Sequence, residues 1–527
     1  MWEELKEENK QKYKTLITNF ASLSEAFSQK AEEMYGEKEL YVAPIVNSKF
    51  QETVFQKSFG GVAEDIANTS YDVSLKLDNN KKYLIGIKSF GISSGDQKIA
   101  QFKSNSVSDD WGSILSKIKY NVENNENHED ENKNLYKDLA LKISYLRNDR
   151  IKSSKELIKG FKATDISVEA VYHVLMPSKK GDCPKIWVGE TSYSPIDIDN
   201  LKIIGATSNK NPTNFKFTDG NHDYKYTSAD SQLYMSFKNN DIVIDEWDVN
   251  YVNDPFSIFE NLHLLSEKKQ TNDLNEIEQT VSWMIANKKG EVEESSGFNG
   301  FDGATKLGKD SRIKRIDQIE EKYTNILSAD EMDYLISQLK IILLSKWKTT
   351  EDKRKMKEIR DELFSYAEKF DSQELINTLQ STLYRPVSEM YIPIPNSKKF
   401  HDENPNFFGQ NIGTFKEGTS KLKLDKEKRV FNLEFMQSGD SIKAYINQDN
   451  GKSIQSKDKQ SILGEWILRG IFQLKPREPL TKKRLDEIGI NAIRLSKFKN
   501  TERGVGIEFI WIDEKNPPND AWGWINK

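Results

Sequence analysis

Residues 70–91 read SYDVSLKLDNNKKYLIGIKSFG, two apolar stretches joined through the polar segment LDNNKKY. This pattern predicts two antiparallel strands connected as a hairpin. Asp72 interrupts the first alternation, and Lys88 lies within the most apolar run nearby. A charge inside a buried strand is costly unless it is paired or binds a metal. Because a hairpin brings the ends of its strands together, we expect Asp72 and Lys88 to share one pocket.

The chemistry of this pair suits a metal-dependent reaction at phosphorus. Mg²⁺ prefers oxygen ligands and keeps several waters when it acts on phosphoryl groups. A neighbouring lysine can orient or deprotonate the attacking water and offset negative charge on phosphate. A plain cross-strand ion pair between Asp72 and Lys88 is the alternative at this point.

A second acid is needed because one carboxylate seldom holds Mg²⁺ alone. Glu52 is the best candidate within KFQETVFQKSFGGV (residues 49–62). Its helical spacing places it on one face with Phe55, Phe59 and Val62. An acid on an apolar stripe is either salt-bridged or functional.

The order helix acid, strand aspartate and strand lysine resembles the PD-(D/E)XK nuclease superfamily over roughly residues 45–105. The resemblance implies Mg²⁺ as cofactor, Asp72 and Glu52 as metal ligands, and Lys88 as a catalytic residue. Gly86 departs from the family pattern, which has an acid two residues before the lysine. Either the second ligand comes from Glu52 or from the following segment, or the site is inactive. DQKIAQFKS (residues 96–104) is expected to form a helix, on which Gln97 resembles the polar positions that some members use beside the metal.

Composition limits the other classes of function. Charged residues make up 30% of the 527 residues and hydrophobic residues 36%, which predicts a soluble protein of two or three domains. The single cysteine, Cys183, cannot form an internal disulfide, and no apolar segment opens the chain, so a cytoplasmic location is expected. The sequence has no Cys pair or His-x-x-x-His for zinc. It has no Walker loop either, so ATP is not expected to bind this chain.

The C-terminal part differs from the rest in charge and in pattern. From Tyr391 onward there are 24 Lys and Arg against 18 Asp and Glu, a net +6 that leaves −11 for the remainder of a chain of net charge −5. A basic module on an acidic body is typical of a part that contacts phosphates. Short alternating runs, among them RVFNLEFMQ and SIKAYINQ, predict an all-β domain.

Residues 389–513 contain YIPIPNSKKFHDENPNFF and NGKSIQSKDKQSILGEWILR. They resemble the DNA-recognition domain that restriction endonucleases of the EcoRII and BfiI kind share with plant "B-three" transcription factors. The resemblance implies a seven-stranded pseudobarrel that grips the major groove of double-stranded DNA with two arms. Asn and Gln match adenine edges, Asp accepts from cytosine, and Lys contacts guanine or phosphate. Two polar loops of ordinary surface are the alternative. The residues predicted to bind DNA are Asn447, Gln448, Asp449, Asn450, Lys452, Gln455 and Lys457 in one arm, and Lys398, Lys399 and His401 in the other.

Together these patterns predict a multidomain protein. An α/β restriction-endonuclease-like nuclease domain is expected at residues 1–255, a helical linker region at 256–388, and the recognition pseudobarrel at 389–527. The resemblances imply a type II restriction endonuclease that cuts foreign DNA with Mg²⁺ as a homodimer, with a cognate methyltransferase as a further partner. Its catalytic residues are expected to be Asp72, Lys88, Glu52 and Gln97. The alternatives are a catalytically inactive DNA-binding protein and a nuclease subunit that needs an ATP-dependent partner.

Overall fold

The computed structural model describes residues 1–27, 41–63, 71–77, 80–162, 166–262, 276–293, 297–300, 303 and 308–523. Its strands form three sheets of six, five and seven strands. Among the described helices, none has both the length and the apolarity needed to cross a bilayer.

The N-terminal part opens with two helices and an antiparallel set of strands. These elements are α1 (Glu7–Ala21), α2 (Ser48–Phe59), β1 (Val62–Ala63), β2 (Val73–Lys76) and β3 (Lys81–Ser89). The side chain of Asn47 accepts the N–H of Phe50 and so caps the start of α2, and Gly60 ends the helix in the left-handed conformation. β2 pairs antiparallel with β3, with Val73 opposite Ile85, and this confirms the predicted hairpin.

The next elements complete the first sheet, through a helical crossover, and form the second sheet. They are β4 (Gln97–Gln101), α3 (Lys103–Ser108), α4 (Trp111–Asn124), α5 (His128–Lys159), β5 (Ser167–Pro177), β6 (Lys185–Ser192), β7 (Lys202–Ala206), β8 (Phe215–Thr218), β9 (Asp223–Thr227), β10 (Gln232–Met235), β11 (Val243–Asp248) and α6 (Pro255–Asn261). The six-stranded sheet has the order β1-β2-β3-β5-β6-β11, with β3 and β5 parallel. The five-stranded sheet has the order β4-β10-β9-β8-β7.

Each face of the six-stranded sheet is covered by its own apolar core. Tyr83 and Ile85 of β3 pack into the cluster formed with α1 and α2. Leu84 and Tyr172 pack on the other side, with α5 and the five-stranded sheet. The residues of β3 alternate between the two cores, so Gly86 and Lys88 lie on the same face of the strand as Leu84.

The segment after β3 is a strand, and the prediction of a helix over DQKIAQFKS is wrong. β4 pairs antiparallel with β10, and Ile99 is 5% exposed in the core between the sheets. Two residues four positions apart, such as Gln97 and Gln101, lie on the same face of a strand as well as on the same face of a helix. Pairing with a distant strand decides between strand and helix.

The remaining elements build the helical region and the third sheet. They are β12 (Ile277–Met284), α7 (Lys309–Tyr323), α8 (Ala329–Leu344), α9 (Thr350–Ala367), α10 (Gln373–Leu383), β13 (Ile392–Pro393), α11 (Ser397–Glu403), β14 (Val430–Phe435), β15 (Ser441–Ile446), β16 (Ser453–Ser456), α12 (Ser461–Gly464), α13 (Lys482–Ile488), β17 (Ala492–Phe498) and β18 (Val505–Ile510). A π-helix at Glu465–Ile471 continues α12. The seven-stranded sheet has the order β12-β17-β18-β14-β15-β16-β13.

The β domain was predicted to begin at residue 389, but one strand of this sheet comes from an earlier part of the chain. β12 lies well before residue 389 in sequence, yet it pairs with β17 from Ile277 opposite Phe498 to Met284 opposite Ala492. Helices α7 to α10 form their own apolar core, which includes Leu335 and Leu379. The helical region is therefore an insertion between two strands of one β domain and not a linker ahead of it.

The C-terminal end of α5 joins the N-terminal part to the β domain. Leu157 belongs to the core of the β domain, and the indole of Trp466 donates to the carbonyl of Glu156 at 2.9 Å. Arg484 pairs with Asp149 at 2.6 Å. Buried packing and charge pairing together fix the two parts against each other.

Candidate metal centre and DNA interface

Asp72 lies immediately before β2 and is held by the backbone of β3. Its N–H donates to the carbonyl of Ile85 at 2.8 Å, and its Oδ2 accepts the N–H of Ile87 at 2.6 Å. In the extended register of the hairpin it stands opposite Gly86, on the strand that carries Lys88. The carboxylate is therefore fixed in orientation before any ligand binds.

Lys88 is half-buried on β3, and the register places it beside Val174 of β5. Its charge acts on the carboxyl of Asp72. Within the described ranges, however, its ammonium makes no hydrogen bond and no ion pair. The alternative of a plain cross-strand ion pair with Asp72 is therefore absent from this part of the chain, and the ammonium is available to a ligand.

Glu52 reaches the same place from the first half of α2. Its side chain is 26% exposed and pairs with Lys49 at 3.0 Å, while Phe55 on the same face is fully buried. Val62 lies in β1 and is exposed, so the predicted face ends with the helix. The charge of Glu52 acts on Asp72. The charges of Lys88 and Glu52 therefore both act on Asp72, although neither side chain is in hydrogen-bond contact with it among the described residues.

Burial raises the pKa of Asp72 above its ordinary value. The charge of Lys88 and the hydrogen bond from Ile87 oppose this effect, and the charge of Glu52 adds to it. Two carboxylates that repel each other in a partly buried place form a donor set that suits Mg²⁺, with water and phosphate oxygens as further ligands. No group of three or more His, Cys, Asp or Glu side chains that could hold a metal occurs among the described residues. Asp72 and Glu52 are the two carboxylates near this hairpin that could hold a metal, and Glu52 is already paired with Lys49.

Gln97 is not brought to this centre by any contact among the described residues. It lies on β4, and its amide donates to the carbonyl of Gly95 at 2.8 Å. Because the predicted helix is absent, the reason for placing Gln97 beside the metal is lost.

The residues behind the carboxylate were not singled out from sequence. Tyr172 is opposite Gly86 on β5, stacks on Tyr193 with centroids 4.3 Å apart, and is fully buried. The guanidinium of Arg147, on α5, lies 5.2 Å from the ring of Tyr193. The charge of Asp72 acts on both tyrosines. Arg147 lies one turn after Ile143 on an apolar helix stripe, the same signal that pointed to Glu52.

The raised pKa of Asp72 predicts how a neutral substitute behaves. The folded protein binds this proton more tightly than the unfolded chain, so stability is lost as pH rises through the folded pKa. Asp72→Asn keeps an acceptor for the N–H of Ile87 and cannot ionise. We expect this variant to be more stable than the wild type at neutral pH in EDTA. The two should converge below the ordinary aspartate pKa of about 3.9.

Thermal unfolding of both proteins across this pH range measures the difference. A variant that is less stable than the wild type at neutral pH would show that the attraction of Lys88 outweighs burial at Asp72.

Three polar segments converge on one surface of the β domain, and we call them the reading segments: α11, the loop 414–423 and the loop 447–452. Ser397 donates to the carbonyl of Asn450 at 3.0 Å, and Leu422 N–H donates to the carbonyl of Asp449 at 2.8 Å. The two predicted arms therefore lie against each other and form one continuous surface.

The exposed members of the reading segments are placed to meet a ligand. Asn450 is exposed at the tip of its loop. Lys398 and Lys399 are 53% and 68% exposed and pair with Asp402 at 3.0 Å and Glu403 at 3.7 Å on the next turn of α11. Lys457, just after β16, is exposed as well. These side chains can reach phosphates or base edges without rearrangement of the backbone.

Other predicted DNA contacts already have protein partners. Asp449 pairs with Arg429 at 2.8 Å, which lowers the pKa of its carboxyl. Lys452 pairs with Glu293 at 2.7 Å. Gln448 is half-buried, and it is engaged through its backbone, whose N–H donates to the hydroxyl of Ser453 at 3.2 Å.

His401 and Gln455 are inside the domain, so neither can contact DNA in this structure. His401 is fully buried between Gly413 and Gly451, and its Nε2 donates to the carbonyl of Gly451 at 2.9 Å. Burial lowers its pKa. Gln455 is 1% exposed and accepts a hydrogen bond from the amide of Asn447. Both residues support the reading segments from below.

The loop 414–423 adds cations that were not singled out from sequence. Its main chain folds back on itself, with Lys416 N–H donating to the carbonyl of Lys421 at 2.8 Å. The side chains of Lys416, Lys421 and Lys423 are exposed. The first two charges act on Asp449, which places them at the reading surface. Three lysines within eight residues were the available signal.

Substitutions at this surface should separate specificity from affinity. We expect Asn450→Ala to cost about 1–3 kcal/mol on the cognate sequence and little on random DNA, because an amide pairs with a base edge at two points. We expect Lys399→Ala to weaken both, with a salt slope lower by about one, because an ammonium contacts phosphate as a point charge. Titrations of cognate and random duplexes at several salt concentrations measure both effects.

Lys340→Ala, at an exposed position of α8, is the matched control and should change neither quantity. If Asn450→Ala lost equal binding free energy on cognate and random DNA, Asn450 would not be a residue that reads a base.

Comparison with known proteins supports the β domain alone. No curated protein matches the chain. Residues 389–499 match the family model of the NgoFVII C-terminal B3-like DNA-binding domain, and this match covers α11, the reading segments and β13 to β17. The C-terminal part of the chain is therefore an NgoFVII-type B3-like DNA-binding domain, of a kind typical of restriction enzymes.

Proposed function

We propose that this protein is a sequence-specific restriction endonuclease that hydrolyses phosphodiester bonds of double-stranded foreign DNA with Mg²⁺. The observation that carries the proposal is the ammonium of Lys88, which has no polar partner among the described residues and whose charge acts on the half-buried carboxylate of Asp72. The same chain holds a DNA-binding domain of a kind typical of restriction enzymes. A hydrolytic centre and a DNA reader in one chain are the parts that such an enzyme needs.

Each residue of the centre has a role in the hydrolysis. Asp72 and Glu52 would hold Mg²⁺, which supplies a Lewis acid for the phosphate and lowers the pKa of bound water. The Ile87 N–H fixes the direction of the Asp72 carboxylate. Lys88 orients the attacking water and stabilises the charge that develops on the phosphate oxygens. Water adds to phosphorus, the P–O bond to the leaving sugar oxygen breaks, and that oxygen takes a proton.

Cleavage of both strands requires two such centres or two successive events. The chain supplies one Asp72–Lys88 centre, so we propose a homodimer in which each protomer cuts one strand. A cognate methyltransferase would protect the host sequence in the same system.

One observation favours a second candidate, a DNA-binding protein without catalytic activity. Gly86 removes the strand acid of the PD-(D/E)XK pattern, and Tyr172 stands opposite that position. If Glu52 does not replace the missing ligand, the chain reads DNA without cutting it.

Incubation of the purified protein with a phage genome tests the proposal. With Mg²⁺ we expect discrete fragments whose ends share one sequence. With EDTA we expect no cleavage and undiminished binding to the same sequence. Binding without cleavage under every divalent metal would favour the second candidate. Cleavage that appears only with ATP and another protein would make the chain a subunit of a larger nuclease.

A further inference from the structure

A cavity of about 540 Å³ lies between α9 of the helical insertion and the β domain. It shares no lining residue with the candidate metal centre or with the reading segments. Sites for small ligands typically occupy about 300–1,000 Å³, so this cavity can take a molecule of nucleotide size.

Two arginines in this cavity lack the anion that such groups require. Arg360 is 7% exposed, and its guanidinium lies 4.5 Å from the ring centroid of Tyr384. Arg477 lies 4.7 Å from the same centroid and donates to Gln380 at 3.2 Å. The Nε atoms of both arginines are buried without a hydrogen-bond partner. In the described part of the chain neither arginine forms an ion pair, and this is costly for Arg360, which is buried, whereas Arg477 is half-buried.

The rest of the lining adds positive charge and apolar surface. Lys353 and Lys357 lie one turn apart on α9, and Lys482 approaches from the start of α13, where it pairs with Glu514 at 3.0 Å. The two acids among the lining residues are Glu291 and Asp361. Basic side chains therefore outnumber acidic ones by five to two. Met356 and Leu480, both buried, supply apolar surface beside them, and Tyr384 supplies an aromatic ring.

We propose that this cavity binds a nucleotide, with its phosphates on Arg360 and Arg477 and its base against Met356 and Leu480. The planar guanidinium group matches phosphate oxygens at two points, and desolvation strengthens the contact. Side chains hold the phosphates here, so the absence of a Walker loop does not oppose binding. A free nucleotide and the 5′-phosphorylated end of a DNA strand share this chemistry.

Calorimetric titration of the full-length protein in EDTA tests the proposal. The probes are AMP, ATP, adenosine, inorganic pyrophosphate, and a short single strand with and without a 5′-phosphate. We expect AMP or ATP, or the phosphorylated strand, to bind at least about tenfold more tightly than its unphosphorylated counterpart, as expected for a lost charge-assisted contact. The free nucleotides and the phosphorylated strand distinguish the two sources.

Variants locate the binding. Arg477→Gln and Lys357→Glu should each weaken it about tenfold or more, because the first removes a cation that holds the phosphates and the second reverses a charge in the same cavity. Lys355→Glu, exposed on the same helix and outside the cavity, is the matched control and should bind as the wild type does. Thermal unfolding checks that all variants fold.

Three results would overturn the proposal: no phosphorylated probe binds at millimolar concentration, adenosine binds as tightly as AMP, or both cavity variants bind as the wild type does. Pyrophosphate binding as tight as that of ATP would leave the base without a contact and would overturn the nucleotide assignment. None of these results depends on DNA cleavage, so the inference fails or holds separately from the proposed nuclease function.

Discussion

Asp72→Ala or Lys88→Met is expected to lower the rate of DNA cleavage by about 10²–10⁴-fold while leaving binding to the recognition sequence intact. In the proposed function Asp72 is a metal ligand, and Glu52 is the other carboxylate whose charge acts on it. Lys88 supplies the ammonium next to it. Single-turnover cleavage of a duplex that carries one recognition site measures the rate, and a gel-shift titration of the same duplex in EDTA measures binding.

Binding should survive because the reading segments lie in the β domain, which is built on the seven-stranded sheet. The hairpin of β2 and β3 belongs to the six-stranded sheet. Lys76→Met is the matched control, since Lys76 is exposed at the other end of β2. It should cut and bind as the wild type does. Cleavage at the wild-type rate by both Asp72→Ala and Lys88→Met would remove the hairpin from the mechanism.

Glu52→Gln tests the ligand that replaces the acid missing at Gly86. The amide keeps the shape of the side chain and its place on α2 but loses the negative charge. We expect cleavage to fall as it does for Asp72→Ala, with partial recovery at high Mg²⁺ concentration because one carboxylate still binds the metal. Unchanged cleavage would mean that another group supplies the second ligand.

The hairpin that carries Asp72 and Lys88 could be predicted because its signals are local. The alternation around Asp72 and Lys88 specifies the hairpin, and hairpin geometry brings its two ends together. Glu52 was predicted from the helical spacing that it shares with Phe55 and Phe59 on α2. The cluster of Arg147, Tyr172 and Tyr193 was missed because its members come from a helix, a strand and the segment after β6, which meet only in the folded domain.

The errors share one physical cause, which is pairing between distant segments. β4 was assigned to a helix because a spacing of four residues fits both structures, and pairing with β10 decides the outcome. His401 was predicted to belong to a DNA-binding arm, and its burial could not be foreseen because it depends on Gly413 and Gly451, which approach it from two other loops. The local sequence pattern indicates which residues of a segment are buried, but it does not specify which distant strand pairs with that segment.

The omission of β12 from the β domain has the largest consequence for experiment. The run IEQTVSWMIA (residues 277–286) alternates, with Val281, Trp283 and Ile285 buried, but the helical insertion separates it in sequence from the rest of its sheet. Its backbone also binds the chain end, where Trp522 N–H donates to the carbonyl of Ser282 at 2.7 Å. This strand therefore closes one side of the sheet and cannot be treated as part of a linker.

A fragment of residues 386–527 is therefore expected not to fold, whereas a fragment of residues 276–527 is. The shorter fragment loses four buried side chains of the strand and its extension, Val281, Trp283, Met284 and Ile285. Burial of such side chains contributes about 1.5–3 kcal/mol each. Their sum is comparable to the whole stability of a typical domain, about 5–15 kcal/mol. The unpaired edge of β17 would also promote aggregation. Thermal unfolding followed by circular dichroism distinguishes the two fragments.

The longer fragment tests whether removal of the N-terminal part alone harms the β domain. Among the described residues that precede β12, only Leu157 belongs to the buried core of this domain, so the loss should be small. This fragment should unfold cooperatively and bind the same DNA sequence as the whole protein. Trp283→Ala within it should cost about 3–5 kcal/mol, since the cavity left between β12 and β17 adds to the lost burial. A shorter fragment that unfolds cooperatively at the same temperature and binds the same sequence would show that β12 decorates the sheet without supporting it. Cooperative unfolding of the longer fragment with no sequence preference would instead show that recognition requires contacts from the N-terminal part, which reaches the β domain through α5.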